Sequence, residues 1–213
     1  AGVLVHVDAA QSIGKVPVDV KSLNIDCLSL SAHKMYGPKG VGALWVRSQP
    51  RVRLTPQIHG GSHQKGMRSG TLSTHQIVGL GEACHIAERE LQRDLEHVSA
   101  LRDVLWGQLS TLPGVSLNGS QRHHYPGCMN ILFDNLDSEV LMTSLHHVAL
   151  SAGSACNSVS IEPSHVLLAM GLTRLQASQC LRLSFGRMTT RDEIDQVASL
   201  FLSVVPRLRK ITL

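Results

Sequence analysis

The sequence predicts an α/β fold in two parts, and three features of the chain support this prediction. Apolar runs of strand length come first, separated by a stretch long enough for a crossover connection. A long helical pattern follows, and strand-like and helix-like segments then alternate again. The chain has 213 residues, of which 43% are hydrophobic and 17% charged. This is enough for one large domain or two small ones.

The first part begins with three strand-like runs, namely Val3–Val7, Ile25–Leu30 and Ala43–Val46. They are mostly apolar and lack a clean alternation with polar residues, which indicates strands that are covered on both faces. Asp8 and Lys34 follow the first and second of these runs. Open α/β sheets bind their ligands at the carboxyl ends of strands, so this position favours a ligand site.

A long helical pattern begins near Thr74, after a glycine-rich stretch, and Pro113-Gly114 ends it. A helix of this length is expected to bridge two domains, so we place a boundary near residue 87. This gives a first part of residues 1–86 and a second part of residues 87–213. The apolar positions with three-and-four spacing are Leu91, Leu95, Val98, Leu101, Leu105 and Leu109.

The second part alternates between strand and helix signals. Pro163 and Gly171 bracket a short helix. Thr190 and Glu193 form a capping box that opens the last helix, which Pro206 is expected to kink or end. The predicted strands are Val115–Leu117, Met129–Phe133 and Leu181–Phe185, and a further helix is predicted over Ser138–His147.

Composition argues against several classes of function. The net charge is +4, but the basic residues are scattered and lack aromatic residues between them, so we expect no direct nucleic-acid binding. No apolar run approaches the roughly 20 residues of a membrane span. The chain opens directly on a strand without an initial methionine, as expected for a fragment of a longer protein.

Cysteines and histidines give no sign of a disulfide framework or a metal site. The five cysteines are irregularly spaced and form no Cys-x-x-Cys pair, which favours a reducing compartment. Among the twelve histidines, His59 and His63 lie in a glycine-rich loop rather than on a helix. The sequence therefore predicts no metal ion.

Lys34 stands beside His33 at the end of an apolar strand, in the segment Ser31–Gly40. Lysine is rarely buried unless it is paired or reacting, and a desolvated lysine readily forms a Schiff base. A pyridoxal phosphate cofactor needs such a lysine and an acidic partner for its pyridine nitrogen, which Asp8 can supply. The alternatives are a surface lysine at Lys34 and a helix N-cap at Asp8.

Two groups of small polar residues are suited to a phosphate. Ser31 and His33 flank the lysine, and Arg68-Ser69-Gly70-Thr71 offers a second set. The alternative for the second set is a loop that caps the following helix.

Cys156 and Arg182 are the remaining candidates. Small and polar residues surround Cys156, which indicates an exposed and reactive thiol, or else an exposed but idle one. Arg182 lies inside an otherwise apolar strand and needs an anionic partner. That partner is either a substrate carboxylate or an internal salt bridge.

These motifs together resemble those of the cysteine desulfurases, specifically the housekeeping type that supplies sulfur for iron–sulfur clusters. The likeness runs from about Val3 to about Leu208. The matching motifs are Val7-Asp8-Ala9-Ala10-Gln11, Ser31-Ala32-His33-Lys34-Met35-Tyr36-Gly37-Pro38-Lys39-Gly40, Gly66-Met67-Arg68-Ser69-Gly70-Thr71, Ser154-Ala155-Cys156 and Glu162-Pro163-Ser164.

The resemblance implies a homodimer with the fold type I of pyridoxal-phosphate-dependent transferases. Residues 1–86 would be the C-terminal portion of the cofactor-binding large domain, whose N-terminal half is absent. Residues 87–213 would be the small α/β domain that carries the catalytic cysteine loop. The family's phosphate loop, a histidine that stacks on the cofactor ring and an asparagine at its edge would lie in the absent half.

The resemblance also implies a role for each candidate residue. Lys34, Cys156 and His33 would be catalytic, with Lys34 forming the Schiff base and Cys156 accepting sulfur. The cofactor would be bound by Asp8 at the ring nitrogen, Gln11 at the ring hydroxyl, Ser31 and His33 at the phosphate, and Thr71 in the partner subunit's site. Arg182 would bind the substrate carboxylate.

The implied reaction converts L-cysteine to L-alanine and leaves a persulfide on Cys156. The sulfur would pass to an iron–sulfur scaffold protein and other acceptor proteins, and serve tRNA thiolation. The implied location is the bacterial cytoplasm or the mitochondrial matrix. The alternatives are a selenocysteine lyase, or an inactive fragment that only dimerises or binds partners. Ala32, Ala152 and Asn157 depart from the usual motifs, which have glycine, serine and threonine at these positions.

Overall fold

The computed structural model describes residues 2–151 and 163–212. It divides into two compact units, unit 1 (Ala1–Arg93) and unit 2 (Asp94–Leu213). The longest helix, α1, spans Thr74–Leu109 and contains the point of division. Its first residue confirms the helix start predicted at Thr74.

Unit 1 contains a three-stranded sheet of β1 (His6–Asp8), β2 (Cys27–Ser31) and β3 (Gly42–Val46), in that order. β1 and β2 are parallel, so the chain makes the predicted crossover between them. The crossover itself runs through turns rather than a helix. β2 and β3 are antiparallel.

The expectation that these strands are covered on both faces is wrong for unit 1. Val3 and Leu4 are 77% and 61% exposed, and the first three residues of β3 are exposed as well. The buried apolar residues of unit 1 form small clusters, which lack the second layer that would cover both faces of a sheet. These clusters are Ala32, Met35, Leu80 and Ala83, and Ala9, Ile25 and Leu28.

Unit 2 contains an antiparallel sheet of β4 (Val115–Asn118), β5 (Cys128–Phe133) and β6 (Cys180–Ser184), in that order. Its helices are α2 (Ser138–Ser144), α3 (His165–Ala169), α4 (Arg174–Ser178) and α5 (Arg191–Thr212).

One face of this sheet joins apolar residues of α1 and α5 in a single core. The core includes Leu101, Leu105, Leu109, Met129, Ile131, Phe133, Leu181, Leu183, Phe201 and Val205. The rings of Phe133 and Phe201 stack with their centroids 5.3 Å apart. The opposite face of the sheet carries a smaller apolar cluster, which includes Leu132 of β5 and Cys180 of β6. Polar side chains share that face, since successive residues of a strand alternate between faces.

Three expectations for unit 2 need correction. The helix predicted over Ser138–His147 ends at Ser144, because Leu145 leaves helical geometry. α4 was not predicted, although Thr173 and Gln176 form the capping box that begins it. Pro206 does not end α5, which continues to Thr212. Burial of the neighbouring Val204 and Val205 in the core supports the helix across the proline.

The capping box at the start of α5 is confirmed. The Thr190 backbone N–H donates to Glu193 Oε2 at 2.7 Å, and the Glu193 N–H donates to Thr190 Oγ1 at 3.2 Å. Among the helices described, none is both long and apolar enough to cross a membrane.

Candidate active site

The parallel pairing of β1 and β2 brings the first two candidate residues to one edge of the sheet. In this register Asp8 is aligned with Ser29, two residues before the end of β2. A short 3-10 helix, Ala32–Met35, follows β2 directly and carries Lys34. Because parallel strands end at the same edge, the Asp8 carboxylate and the Lys34 segment lie on that edge together.

The 3-10 helix is held by its two apolar residues and presents its two basic residues to solvent. Ala32 and Met35 are 0% and 3% exposed and belong to one cluster with residues of α1. The turn that follows favours Gly37, since a Cβ there would lie only 3.0 Å from the Ala32 carbonyl oxygen.

Lys34 is exposed, so the expectation of a desolvated lysine is wrong for this chain. The inward positions of the 3-10 helix are taken by Ala32 and Met35, which leaves Lys34 on the outside. A ligand can therefore reach the amine directly.

Ser31 and His33 come together beside Lys34. The distance between Ser31 Oγ and His33 Nδ1 is 2.9 Å. This bond leaves Nε2 of the imidazole available to a further partner. A hydroxyl, an imidazole and an ammonium group within four consecutive residues provide hydrogen-bond donors and positive charge for a phosphate.

Asp8 and Gln11 each use part of their side chain locally. Asp8 Oδ1 accepts a hydrogen bond from the Ala10 N–H at 3.0 Å, which is a turn role close to the N-cap alternative. Gln11 Oε1 accepts a hydrogen bond from Lys15 Nζ at 2.6 Å. The second carboxylate oxygen of Asp8 and the amide nitrogen of Gln11 are the groups left for a ligand.

Thr71 lies exposed in the segment before α1. A bridge between Ile58 and Arg68 and a bond from the Ser69 N–H to the Ile58 carbonyl shape this segment. No hydrogen bond joins Thr71 to Ser31 or His33. Its assignment to the partner subunit's site remains a prediction.

Arg182 lies in the middle of β6, in unit 2. No ion pair joins it to another described residue, so within the described part of the chain the internal salt bridge is not formed. Its Nε is buried and has no hydrogen-bond partner among the residues that the structure describes. A buried guanidinium nitrogen without a partner calls for an anion.

The backbone of Arg182 also holds the residue that precedes the predicted cysteine loop. Its N–H donates to the Ser151 carbonyl at 2.7 Å, in an isolated antiparallel bridge. Cys156 itself, with the residues from 152 to 162, lies outside the described residues. Its assignment as the sulfur acceptor remains a prediction.

Sequence reasoning missed two polar residues on the same face of the unit 2 sheet, Asn118 and Asn130. Asn130 is the register partner of both Asn118 on β4 and Arg182 on β6. The signal was available in the sequence, because a polar residue interrupts an apolar strand at Asn130 just as it does at Arg182.

The residues at the unit 1 edge fit pyridoxal phosphate in their chemistry. The group needs an amine for its aldehyde, a carboxylate for its ring nitrogen and donors for its phosphate. Lys34, Asp8 and the pair Ser31–His33 provide these groups on one sheet edge and are accessible there. For metal ions, no group of three or more His, Cys, Asp or Glu suited to a metal occurs within the described ranges.

Comparison with known proteins shows which family this chain resembles. The family model described as aminotransferase class-V matches residues 1–197. A curated relative, the cysteine desulfurase IscS of Colwellia psychrerythraea strain 34H, is 50% identical over 210 residues. That match covers 99% of this chain and 52% of the relative. The chain therefore spans about half the length of the curated relatives it matches.

Solved structures of related proteins are also similar to this chain. A NifS-like protein is 34% identical with a TM-score of 0.83, covering 96% of this chain and 52% of that chain. A structure described as SspA in complex with cysteine is 39% identical with a TM-score of 0.70, covering 86% and 50%. These likenesses confirm the predicted fold class, which is the α/β fold type I of transferases that use pyridoxal phosphate. They also confirm the resemblance to cysteine desulfurases.

Proposed function

We propose, from the premise that this chain belongs to the aminotransferase class-V family, that it is the C-terminal part of a pyridoxal-phosphate-dependent cysteine desulfurase. The parallel register of β1 and β2 carries the proposal, because it puts the Asp8 carboxylate and the Lys34 segment on one sheet edge. The name shared by curated relatives of about 50% identity supports the choice of substrate.

The unit 1 residues would bind the cofactor and move a proton. When bound, pyridoxal phosphate withdraws electrons from the substrate's α-carbon. Asp8 would keep the ring nitrogen protonated with its free carboxylate oxygen, and Gln11 would donate its amide N–H to the ring hydroxyl. Ser31 and His33 would hold the phosphate. Lys34 would bind the aldehyde carbon and, once released, carry the α-proton as a general base.

The unit 2 residues would orient the substrate and accept its sulfur. Arg182 would bind the carboxylate of L-cysteine through its guanidinium group. Cys156 would take the sulfur atom, so that L-cysteine and the Cys156 thiol become L-alanine and a Cys156 persulfide. The bridge between Ser151 and Arg182 supports this pairing, since it holds the start of the cysteine segment beside the carboxylate-binding residue.

The same proposal extends to assembly and location. Residues 1–86 would belong to the large domain and residues 87–213 to the small domain of a homodimer, with Thr71 reaching the partner's phosphate site. The persulfide would supply an iron–sulfur scaffold protein, other acceptor proteins and tRNA thiolation. The location would be the bacterial cytoplasm or the mitochondrial matrix.

Alanine release from L-cysteine tests the activity and the role of Lys34. We expect Lys34→Ala to lower the rate by about 10³-fold, since it removes the proton carrier. It should also abolish the visible or near-ultraviolet absorbance of the bound cofactor. Lys39→Ala is the matched control, because Lys39 is an exposed lysine of the same segment. Equal loss in both variants would refute the assignment, and selenocysteine as substrate distinguishes a selenocysteine lyase.

Persulfide detection by mass spectrometry tests the sulfur acceptor. Cys156→Ser should keep the cofactor absorbance and lose persulfide formation, because it removes only the accepting thiol. If this variant desulfurates L-cysteine at the wild-type rate, the acceptor is another residue.

A further inference from the structure

Three polar residues form a row across the unit 2 sheet, on the face opposite the core. Asn118 pairs in register with Asn130, and Asn130 pairs with Arg182. Side chains of residues directly opposite each other in antiparallel strands share one face, with Cβ atoms about 5 Å apart. All three are partly buried, whereas their neighbours Met129, Ile131, Leu181 and Leu183 face the core. We call Asn118, Asn130 and Arg182 the polar row.

Hydrogen bonds set the orientation of the two amides in the polar row. The Cys180 thiol donates to the Gln176 carbonyl at 3.2 Å, so the sulfur is an acceptor for its other neighbour. Asn118 Nδ2 lies 3.2 Å from that sulfur and 2.7 Å from Asn130 Oδ1. Asn118 therefore presents its NH₂ group to both partners, and Asn130 must present its oxygen to Asn118.

This orientation is unusual for an asparagine beside an arginine. An Asn130 amide free to turn would offer its oxygen to the Arg182 guanidinium, which carries only donors. Here the Asn130 oxygen accepts a hydrogen bond from Asn118 on β4. The Asn130 amide nitrogen therefore faces the opposite neighbour, β6, which carries Arg182. No other described residue accepts from this nitrogen. The Asn130 amide nitrogen and the Arg182 guanidinium are thus donor groups on neighbouring strands, and no hydrogen bond to an acceptor in the described part of the chain satisfies both.

The geometry points to Asn130 as a second donor to the substrate carboxylate, next to Arg182, with Asn118 as the residue that positions it. This inference rests on the proposed function, because it assigns the carboxylate of L-cysteine as the shared anion. A carboxylate has two oxygens with about four acceptor sites, enough for a guanidinium and an amide together. A neutral donor added to a cationic one holds the carboxylate in one orientation without adding charge.

Arg182 and Asn130 contribute in different ways to the recognition of the carboxylate. Arg182 attracts any carboxylate through its charge, whereas Asn130 binds only one that lies in line with the row. The buried thiol of Cys180 extends the positioning chain, since burial raises its pKa and keeps it protonated as a donor to Gln176. Asn130 is the binding residue of this pair, and Asn118 acts only through it.

Calorimetric binding of two thiols to the holoenzyme tests the inference. 3-Mercaptopropionate has the carboxylate and lacks the amine of the substrate, whereas cysteamine has the amine and lacks the carboxylate. We expect Asn130→Ala to weaken the binding of 3-mercaptopropionate about tenfold, since the substitution removes one hydrogen bond to a charged group. The affinity of Asn130→Ala for cysteamine should stay within about twofold of the wild-type value, because cysteamine has no carboxylate to bind to the polar row.

Two further variants separate binding from folding. Asn130→Asp keeps the acceptor for Asn118 but replaces the donor with a negative charge, so it should weaken 3-mercaptopropionate by about 100-fold or more. Asn118→Ala frees the Asn130 amide to rotate, so it should weaken the binding of 3-mercaptopropionate about threefold. In each variant the KM for L-cysteine should rise while kcat stays within about twofold. Ser116→Ala is the matched control, since it changes an exposed residue of β4 outside the row.

The outcomes are distinct. Unchanged 3-mercaptopropionate binding in Asn130→Ala and Asn130→Asp overturns the inference, as does an equal loss for both thiols, which would indicate a structural role. Failure of the wild type to bind 3-mercaptopropionate also overturns it. Alanine release by the wild type is measured separately. If alanine is released and Asn130 proves neutral, only this inference fails, whereas absence of alanine release refutes the proposed function itself.

Discussion

The two units each contain a three-stranded sheet, yet they bury very different amounts of apolar surface. In unit 2 one face of the sheet joins α1 and α5 in a core that contains seventeen buried residues of the described part of the chain. In unit 1 the buried clusters contain four and three residues, and Val3, Leu4 and Leu44 remain exposed. Burial of apolar area is the main source of stability, at about 25 cal/mol per Å². Unit 2 therefore holds the stable core, whereas unit 1 holds the candidate cofactor residues on an exposed edge.

The largest difference between the units is expected from core truncation. Phe201→Ala removes a fully buried ring stacked on Phe133 and should lower the free energy of unfolding of unit 2 by about 3–5 kcal/mol. Leu44→Ala in unit 1 should cost under about 1 kcal/mol, because Leu44 is already half exposed. Urea unfolding followed by fluorescence reports on each unit, through Trp106 for unit 2 and Trp45 for unit 1. An equal loss in the free energy of unfolding from Phe201→Ala and Leu44→Ala would contradict the conclusion that unit 2 holds the stable core.

A smaller difference is expected from two ion pairs of similar burial, one in each unit. In unit 2, Arg187 Nε donates to both carboxylate oxygens of Asp94, at 3.0 and 2.8 Å. In unit 1, Arg47 Nε lies 3.4 Å from Asp26 Oδ1, and the same guanidinium donates to the Ile25 carbonyl.

We expect Asp94→Ala to destabilise unit 2 by about 2–3 kcal/mol, because it leaves a largely buried guanidinium without its carboxylate. Asp26→Ala should destabilise unit 1 by about 1–2 kcal/mol, since Arg47 keeps its bond to a carbonyl but the Val5 N–H loses its bond to Asp26 Oδ2. The same urea experiment measures both. A larger loss for Asp26→Ala than for Asp94→Ala would contradict this order, since the ion pair of Asp26 and its bond from the Val5 N–H would together outweigh the pair in unit 2.

The smallest expected effect concerns pH. Burial raises the pKa of the Cys84 thiol in unit 1 and of the Cys180 thiol in unit 2 above the ordinary value of 9.0. The unfolded chain then loses the proton at lower pH than the folded chain. The stabilisation is therefore complete below pH 9 and is lost as pH rises through the folded pKa, with a slope of at most about 1.4 kcal/mol per pH unit for each thiol.

Thermal unfolding between pH 8 and pH 10.5 measures this effect. Cys180→Ala should reduce the alkaline loss of stability in unit 2, and Cys84→Ala should reduce it in unit 1. Cys128→Ala, which removes an exposed thiol of the unit 2 sheet, is the control and should leave the alkaline loss in place. A Cys180→Ala profile identical to wild type would show that other groups cause the pH dependence.

Local signals in the sequence predicted most elements, because they depend on near neighbours along the chain. The start of α1 at Thr74 and the capping box of Thr190 and Glu193 were both found where the sequence placed them. The same kind of signal at Thr173 and Gln176 was available and was overlooked, so α4 was missed. Pro206 shows the limit of a local rule, since core packing carries α5 past it.

The sequence by itself determined the candidate residues for the chemistry: Asp8 and Lys34 after consecutive strands, and Arg182 as a charge within an apolar strand. The tertiary structure alone decided that Lys34 is exposed, since Ala32 and Met35 occupy the inward positions of its helix turn. It also decided that Asn130 pairs in register with Arg182, and Asn118 with Asn130. Burial and register depend on what lies opposite a residue in space, and spacing along the chain does not contain that information.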